Sequence, residues 1–518
     1  MWNKLEKRYW IPGVLLLLWM GIFAFLNANC QSFWADEMAS IGFIRNGLSL
    51  SEVLNTYLYA ENNLPLYPMI LYVVYRVMPY GEQFLLIPSI IFCMAGVVVL
   101  AMTTARLKGK RAGFLALCLG ASSGILIWQA AWEIRCYGLA FFLSNLVLYS
   151  FVMKFLRGSK KDMVLWSVSL ALFFWTHWFA FILLAFYGLV DLALVIGRKI
   201  SWKQLICWVP GCLLYFPWLL ASLYYKNSGL ENYWSEPPGF KNMAWTVLFY
   251  LDGNRLLWYL CLLTGAGLLV SAVIWFGKPA SEEKTVGLLS AFCVAAVVWM
   301  IGSVFVYSRY LYPSGGLYVE RYFTVIQPHI LLITALGLAF ILDTADKAVC
   351  VERPKGKLIF RLAGWGMRIG VVVLLLFFFL NAYRNQYVAI RKPFEPYREA
   401  ADYLVQEEGI WEESSLFTGS NRFCGLDGFI HYYFEKRGYE PPENIVGSMV
   451  LSPQETRFYP DYSSLTEEEL LSYDRIYCLR IHMGMDEALQ DFLEAHYRQV
   501  EKRGDYGIEI WERNDVKK

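Results

Sequence analysis

Long apolar segments recur over the first three quarters of this chain, and they restrict its fold more than any other feature. About 20 consecutive apolar residues suffice for a helix to cross the roughly 30 Å hydrocarbon core of a bilayer. Hydrophobic residues make up 57% of the 518 residues, more than a soluble core requires. The sequence therefore predicts an all-α multi-pass membrane protein with about 11 transmembrane helices, at residues 10–26, 84–106, 112–130, 137–156, 163–177, 178–197, 204–222, 256–277, 286–307, 322–343 and 368–387.

Basic residues in the loops predict which side of the membrane each loop faces. Lys4, Lys7 and Arg8 precede the first apolar segment, which lacks a signal-cleavage pattern and is interpreted as a retained helix. Because Lys and Arg concentrate in cytoplasmic loops, the first loop, residues 30–83, is predicted to be external. Five later basic loops stay cytoplasmic only if the short apolar stretch 65–78 does not span, so we predict an interfacial or re-entrant helix there.

The composition changes after residue 388, where long apolar runs stop and charged residues become frequent. We predict a transmembrane domain over 1–388 and a small extracytoplasmic α/β domain over 389–518. Its predicted helices are Pro396–Glu408, Leu426–Arg437, Thr466–Tyr473 and Asp486–His496. Its predicted strands are Ser415–Thr418, Ile445–Leu451, Arg475–Ile481 and Tyr506–Glu512.

Four groups of ionisable residues flanked by aromatic residues are predicted to lie at external helix ends. Charged side chains at the edge of a bilayer are costly unless they have partners, water or a function. Any one group resembles ordinary solvated loop charges, whereas four on the same side favour a site. The groups are Trp34-Ala35-Asp36-Glu37, Glu133-Ile134-Arg135-Cys136-Tyr137, Thr176-His177-Trp178 and Glu320-Arg321-Tyr322.

The residue types in these groups suit transfer of a sugar from a lipid phosphate. Asp36 is predicted to be the base that deprotonates an acceptor hydroxyl. Glu37 is predicted to support it, to cap the following helix or to hold an Arg. Arg135 and Arg321 are predicted to neutralise a phosphate leaving group, for which the guanidinium fork is well matched. Arg135 could instead reach towards the membrane interface, and Arg321 could pair with Glu320.

Several further polar and aromatic residues have two interpretations each. His177 is a structural hydrogen-bonding residue or a contact for phosphate or Asp36. Gln327 and His329 either line a cavity or form interhelical hydrogen bonds, of which the second is favoured. Arg309 is a further candidate phosphate contact, and the aromatic residues between Leu223 and Arg255 form either a substrate wall or an interfacial belt, namely Tyr224, Tyr225, Tyr233, Trp234 and Trp245.

A series of short motifs in order resembles the GT-C membrane glycosyltransferases, in particular bacterial relatives of protein O-mannosyltransferases and lipid A aminoarabinose transferases. The motifs lie within about residues 1–385 and are Trp34-Ala35-Asp36-Glu37, Asn63-Leu64-Pro65-Leu66-Tyr67, Glu133-Ile134-Arg135-Cys136-Tyr137-Gly138, Thr176-His177-Trp178, Tyr215-Phe216-Pro217-Trp218 and Arg321-Tyr322.

The resemblance implies a GT-C fold and a polyprenyl-phosphate sugar donor bound at the external face. It assigns the base to Asp36, with Glu37 beside it, and places Arg135 and Arg321 near the donor phosphate. Tyr67, Glu133, Tyr137, His177 and Tyr322 join them as candidate substrate-binding residues. The chain has Asn62 and Asn63 where these relatives often have His or Lys, which removes one phosphate contact that the resemblance would otherwise imply.

The glycosyltransferase interpretation also predicts the cofactors, the partners and the cellular location. These residues require no metal or other cofactor, since one acid pair makes a poor cation cage. A divalent metal is nevertheless compatible with them. The expected partners are the lipid-linked donor, a lipid, polysaccharide or protein acceptor, and membrane lipids in a bacterial plasma membrane. A net charge of +2 gives no sign of nucleic-acid binding.

Two other functions compete with the glycosyltransferase. One is a transporter or flippase of lipid-linked sugars, for which the sequence shows no paired broken helices. The other is a non-catalytic cell-envelope assembly protein, which would tolerate the loss of Asp36.

Overall fold

The computed structural model divides the chain into two compact units. The first consists of Met1–Phe25, Ser89–Ala131 and Cys136–Val388, and the second consists of Leu26–Pro88, Trp132–Arg135 and Ala389–Lys518. The second unit thus combines the first loop and a four-residue turn with the C-terminal residues. The structure describes residues 4–44, 48–59, 64–225, 236–276, 281–313, 317–350, 357–392, 394–420, 426–440, 442, 444–446, 465–481 and 484–515.

Helices account for nearly all regular structure before residue 390. Two 3-10 helices, Trp202–Trp208 and Glu320–Ile326, precede α12 and α16. The α-helices are α1 (Lys4–Asn27), α2 (Ala35–Gly42), α3 (Leu50–Tyr59), α4 (Leu66–Val77), α5 (Glu82–Leu85), α6 (Ile87–Lys108), α7 (Lys110–Ala121), α8 (Gly124–Trp132), α9 (Tyr137–Leu156), α10 (Lys160–Phe173), α11 (Trp178–Ile196), α12 (Val209–Tyr225), α13 (Phe240–Phe249), α14 (Arg255–Phe276), α15 (Glu282–Val306), α16 (Gln327–Val349) and α17 (Lys357–Ala389).

All eleven predicted apolar segments are helical in the structure, although 112–130 is divided between α7 and α8. Among the described residues, eight helices are long and apolar enough to cross a membrane, or nine if α7 and α8 form one span. The remaining two are shorter, since the apolar part of α1 is Ile11–Asn27 and α10 has 14 residues. The chain is therefore a multi-pass, mostly helical membrane protein, as its apolar segments predict.

Helix α4 is too short to span, in agreement with the charge pattern. Its 12 residues cover about 18 Å at 1.5 Å per residue, against roughly 30 Å for the hydrocarbon core. The Arg76 guanidinium donates hydrogen bonds to the carbonyls of Ile44, at 3.1 Å, and Leu48, at 2.6 Å. These bonds fasten α4 to the segment that follows α2.

Helices α7 and α8 were expected to be one span, but the chain bends by 54° between them. Asp252, in the turn before α14, accepts hydrogen bonds from the N–H groups of Gly124, at 2.7 Å, and Ile125, at 3.3 Å. The first N–H groups of a helix have no partner within the helix, so this carboxylate satisfies two of them at the start of α8. Burial raises the pKa of Asp252 to about 7.

Replacing Asp252 by Asn should change how stability depends on pH. Because the folded-state pKa is about 7 and the ordinary value is 3.8, the folded wild type binds this proton more tightly than the unfolded chain does. As the pH rises from about 4 to about 7, the free energy of unfolding of the wild type should therefore fall relative to that of Asp252→Asn. Above about pH 7 the difference between the two proteins should stay constant. Melting curves of both proteins in detergent over this range measure the difference. A difference independent of pH would contradict the assignment.

The C-terminal residues form a five-stranded mixed sheet with short helices. The strands are in the order β2-β1-β3-β5-β4, in which β2, β1 and β3 are parallel and β5 pairs antiparallel with both β3 and β4. The helices are α18 (Tyr397–Leu404), α19 (Leu426–Phe429), α20 (Glu467–Leu471) and α21 (Glu487–His496), and the strands are β1 (Ser415–Gly419), β2 (Ile445–Val446), β3 (Arg475–Leu479), β4 (Tyr497–Arg503) and β5 (Ile508–Arg513).

Strand β4 is the element of this sheet that the sequence interpretation missed. Its sequence, YRQVEKR, has no clear alternation of apolar and polar residues, and only Tyr497 is buried. It is an edge strand, so its backbone pairing with β5 and its solvated side chains replace the usual apolar signal. The predicted strand Ile445–Leu451 is a strand at 445–446, and its remaining residues lie outside the described part of the chain.

Candidate active site

Helix α2 begins with the acid pair that the sequence singles out. Trp34 is the N-cap residue in an extended conformation, and its N–H donates a 3.1 Å hydrogen bond to Oε2 of Glu37. The other oxygen, Oε1, accepts a 2.8 Å hydrogen bond from the N–H of Ile134. Glu37 is only 1% exposed. Its carboxyl therefore joins the start of α2 to the turn formed by residues 132–135.

The environment of Glu37 disfavours its charge. Burial raises the pKa of Glu37 well above its usual range, and the nearby charge of Glu133 raises it further. The backbone N–H groups of Ile134 and Trp34 act in the opposite direction but do not outweigh burial. Glu133 is itself buried and lies in the same turn. This is the setting of a structural carboxyl group rather than that of a group exchanging protons with substrate.

Asp36 differs from its neighbour in accessibility. Its side chain is 30% exposed, and Nη2 of Arg135 lies 3.9 Å from its carboxylate. Nη1 of Arg135 donates to the Asp36 backbone carbonyl at 3.0 Å and to Oγ of Ser40 at 3.1 Å. Arg135 thus fixes the first turn of α2, while the Asp36 carboxylate keeps access to solvent.

The C-terminal residues provide contacts to α2 that sequence reasoning did not find. Glu395 accepts a 2.7 Å hydrogen bond from the N–H of Ala35, and the Tyr433 hydroxyl accepts one of 3.1 Å from the N–H of Phe33. A Cβ added at Gly428 would lie 1.7 Å from the carbonyl oxygen of Met38, so only glycine fits there. No local pattern signals these contacts, because each joins residues more than 350 positions apart in the chain.

Two other candidate residues lie in the second unit. Tyr67 is 1% exposed near the start of α4. Glu133 is 6% exposed, and its charge acts on Glu37 as described. Asn62 and Asn63 lie outside the described residues. Within the residues that the structure describes, no three or more His, Cys, Asp and Glu side chains are arranged to hold a metal ion.

The first unit brings together three of the other predicted residues in an aromatic cluster. The ring of Tyr322 lies 6.5 Å from that of Tyr137, nearly parallel to it, and 5.6 Å from that of His177. Tyr137 and His177 are 6.0 Å apart, and Phe179 packs against both His177 and Tyr322. His177 is the N-cap of α11, where Nδ1 accepts a 3.1 Å hydrogen bond from the N–H of Phe179. In the neutral ring the hydrogen is therefore on Nε2.

The remaining sequence candidates have structural contacts of their own. Arg321 is half-buried, with its guanidinium 5.6 Å from the Tyr322 ring. Arg309 donates a 3.0 Å hydrogen bond to the carbonyl of Pro238. His329 bonds the Tyr187 hydroxyl at 3.0 Å, which confirms the predicted interhelical hydrogen bond.

A cavity of about 530 Å³ lies along α13 and at the N-terminal ends of α14 and of the 3-10 helix that begins at Glu320. It is open, and it is lined by Lys241, Asn242, Ala244, Trp245, Leu248, Arg255, Trp258, Tyr259 and Glu320.

Trp245 had two interpretations from the sequence, a substrate wall or an interfacial belt, but Lys241 and Arg255 were not singled out. A signal was present, since both are basic residues in a stretch predicted to be external, where Lys and Arg are uncommon. Tyr233, Trp234 and the side chains of Tyr224 and Tyr225 lie outside the described residues.

The chain has a GT-C membrane fold, which its similarity to solved structures shows. ArnT from Cupriavidus metallidurans has this fold: its apo structure matches with a TM-score of 0.58 at 14% identity over 96% of this chain and 97% of that chain. Its structure bound to undecaprenyl phosphate matches with a TM-score of 0.56 over the same shares at the same identity.

A second solved structure with this fold comes from an archaeon. The oligosaccharyltransferase AglB from Archaeoglobus fulgidus, in complex with an inhibitory peptide and a dolichol-phosphate, matches with a TM-score of 0.50 at 10% identity, covering 91% of this chain and 69% of that chain. The sequence matches no protein-family model and no curated protein. The GT-C fold that the ordered motifs predict is thus confirmed by structure.

Proposed function

We propose that this protein is an inverting glycosyltransferase that moves a sugar from a polyprenyl-phosphate donor to an acceptor hydroxyl on the external face of the membrane. The observation that carries the proposal is the open cavity along α13 and at the end of α14. Lys241 and Arg255 supply positive charge to its wall, and Trp245, Trp258 and Tyr259 supply aromatic surface. A phosphate attached to a prenyl chain has both complementary properties.

The cations of the cavity suit the leaving group of the reaction. As the bond from the sugar to the phosphate breaks, negative charge develops on the phosphate oxygens, and guanidinium or ammonium groups stabilise it. Glu320 lines the cavity, and Arg321 is the next residue in the chain. Arg321 is therefore a candidate to stabilise the same negative charge on the phosphate. Aromatic rings at a membrane interface also pack well against isoprene units.

Asp36 is the proposed base. A general base must be accessible to the hydroxyl that it deprotonates, and Asp36 combines 30% exposure with a fixed backbone. Glu37 has both oxygens occupied by backbone N–H groups and is buried, so we assign it to holding α2 in place. In this assignment Arg135 orders the turn that presents Asp36, and no metal ion is required.

The carrier and the side of the membrane follow from chemistry and charge. Sugar nucleotides are made in the cytoplasm, so an external enzyme needs a donor that crosses the bilayer, which a prenyl phosphate does. The distribution of Lys and Arg supports an external position for the first loop and residues 389–518. Support also comes from solved structures with this fold that contain undecaprenyl phosphate or dolichol-phosphate. The acceptor is a hydroxyl of a lipid, polysaccharide or protein in the bacterial cell envelope.

Kinetics of Arg255→Gln test the proposal. The purified protein in nanodiscs is supplied with labelled polyprenyl-phosphate sugars and envelope extract, and release of polyprenyl phosphate is measured. Loss of a charged hydrogen bond to phosphate should raise KM for the donor by about tenfold or more. Arg309→Gln is the matched control, because Arg309 is also an exposed arginine of the first unit but bonds a backbone carbonyl. No turnover by the wild type with any such donor would overturn the proposal.

A further inference from the structure

Helix α12 has one face of polar groups without partners among the residues that the structure describes. The hydroxyls of Tyr215 and Ser222 and the indole N–H of Trp218 are buried and have no hydrogen-bond partner within that part of the chain. Tyr215 is 3% exposed and Ser222 is 4% exposed. Because the three residues are spaced by three and four positions, they lie on the same side of the helix. The opposite side, which includes Leu213, Phe216 and Leu220, is exposed as expected for a surface that faces lipid.

These groups differ from an ordinary aromatic belt. Tyr and Trp at a membrane interface direct their polar atoms outward to head groups and water. Here the polar atoms themselves are inaccessible, and they face the protein. A polar group that is buried without a partner destabilises a membrane protein, because its hydrogen bonds to water are lost and not replaced. Three on one face therefore point to a ligand that satisfies them.

The surroundings of the three groups are aromatic. The Tyr215 ring stacks on Phe174 at 5.9 Å and contacts Trp175 and Phe181 at 5.6 and 4.8 Å. Trp218 contacts Trp175 edge-on at 5.6 Å. Trp175 is two residues before His177, so this face adjoins the aromatic cluster along the chain. Neither α12 nor the segment from Phe174 to Phe181 contains Lys or Arg.

We propose that the inward face of α12, formed by Tyr215, Trp218 and Ser222, binds a sugar ring of the lipid-linked substrate. The proposal rests on the proposed glycosyltransferase function and specifies where it recognises the sugar. Sugar rings offer apolar C–H faces that stack on aromatic side chains and hydroxyls that accept hydrogen bonds from indole and hydroxyl donors. A phosphate is a poorer fit, because a phosphate requires cations that this face lacks.

Binding measurements with the bare lipid and with sugar-bearing lipids test the site. Undecaprenyl phosphate, bare or carrying a hexose, an N-acetylhexosamine or a pentose, is titrated into the full-length protein in nanodiscs and followed by native mass spectrometry. The wild type should bind at least one sugar-bearing lipid about tenfold more tightly than the bare lipid. Tyr215→Phe should reduce this preference about fivefold, and the triple variant Tyr215→Phe, Trp218→Phe, Ser222→Ala should abolish it, with unchanged affinity for the bare lipid.

Tyr187→Phe is the matched control for a buried tyrosine. Its hydroxyl already bonds His329, so this variant should melt at a lower temperature and keep the preference for the sugar. Tyr215→Phe removes a hydroxyl without a partner, so the ligand-free variant should melt no lower than the wild type.

The two proposals fail in different ways. If the wild type binds none of these lipids, the glycosyltransferase proposal is overturned, and the sugar site with it. If it binds the bare lipid as tightly as every sugar-bearing lipid, or if Tyr215→Phe keeps the full preference, only the sugar site is overturned, and water alone fills this face.

Discussion

Asp36→Asn should abolish sugar transfer while leaving the protein folded and able to bind donor. Asn is close to Asp in size but cannot accept a proton, so loss of the base should slow turnover by about 10² to 10⁴. The ion pair with Arg135 is long, at 3.9 Å, and partly exposed, so its loss should change the free energy of unfolding by no more than about 1 kcal/mol. Release of polyprenyl phosphate from a labelled donor, with membrane extract as acceptor, measures the effect.

Glu37→Gln is the control that distinguishes a catalytic role of the acid pair from a structural role in α2. Gln can accept only one of the two backbone hydrogen bonds that Glu37 accepts, and its NH₂ group would face the other N–H. We expect this variant to unfold more easily, by about 1 to 3 kcal/mol, and to keep measurable turnover when folded. Full activity of Asp36→Asn would contradict the base assignment. Activity lost equally in both variants, with both proteins destabilised, would mean that α2 has only a structural role.

The positions of the membrane helices could be predicted because their signal is local. A span needs a run of apolar residues whatever its neighbours are, and all eleven predicted segments are helical. The short helix α4 was also recognised, since crossing the membrane there would have reversed the sides of five basic loops. The bend between α7 and α8 was not recognised. Asp252 accepts hydrogen bonds from the N–H groups at the bend, but it lies about 130 residues further along the chain.

The same distinction applies to the candidate site. Asp36 and Arg135 were predicted to lie on the same side of the membrane, and the structure brings their charged groups within 3.9 Å, although an ion pair between them was not predicted. Capping of α2 by Glu37 was one of its predicted roles, and the structure confirms the cap. Its second bond, to the N–H of Ile134, could not be predicted, since every residue except proline has such a group. Contacts of Glu395, Gly428 and Tyr433 with the start of α2 depend on tertiary packing alone. The cavity cations Lys241 and Arg255 become a pair only when α13 and α14 meet.

Lys154→Met should be the most destabilising of the substitutions considered. Nζ of Lys154 lies 2.5 Å from the Asp191 carboxylate, and both side chains are 0% exposed. Asp191 also accepts a 3.1 Å hydrogen bond from the indole N–H of Trp208. Without Lys154, a carboxylate remains buried with only that neutral donor. We expect a loss of about 3 to 5 kcal/mol in the free energy of unfolding, measured by denaturation in mixed micelles.

Two control variants distinguish the effect of burying the ion pair from the effect of losing a positive charge. Lys108 pairs with Asp343 at 3.3 Å, but these side chains are 46% and 42% exposed, so Lys108→Met should cost at most about 1 kcal/mol. The double variant Lys154→Met, Asp191→Leu removes both buried charges and should recover most of the loss, because apolar pairs often replace buried ion pairs without penalty. Equal effects of Lys154→Met and Lys108→Met would show that the buried pair is not a major determinant of stability.

The buried pair also bears on the site through the helices that carry it. Lys154 is near the C-terminal end of α9, which begins at Tyr137, and Asp191 is near that of α11, which His177 caps. The ion pair fixes these two helices against each other at one end, and Tyr137 and His177 meet at the other, with ring centroids 6.0 Å apart. A Lys154→Met protein that is kept folded at low temperature should therefore also bind the lipid-linked donor more weakly than Lys108→Met, and the double variant should restore binding together with stability.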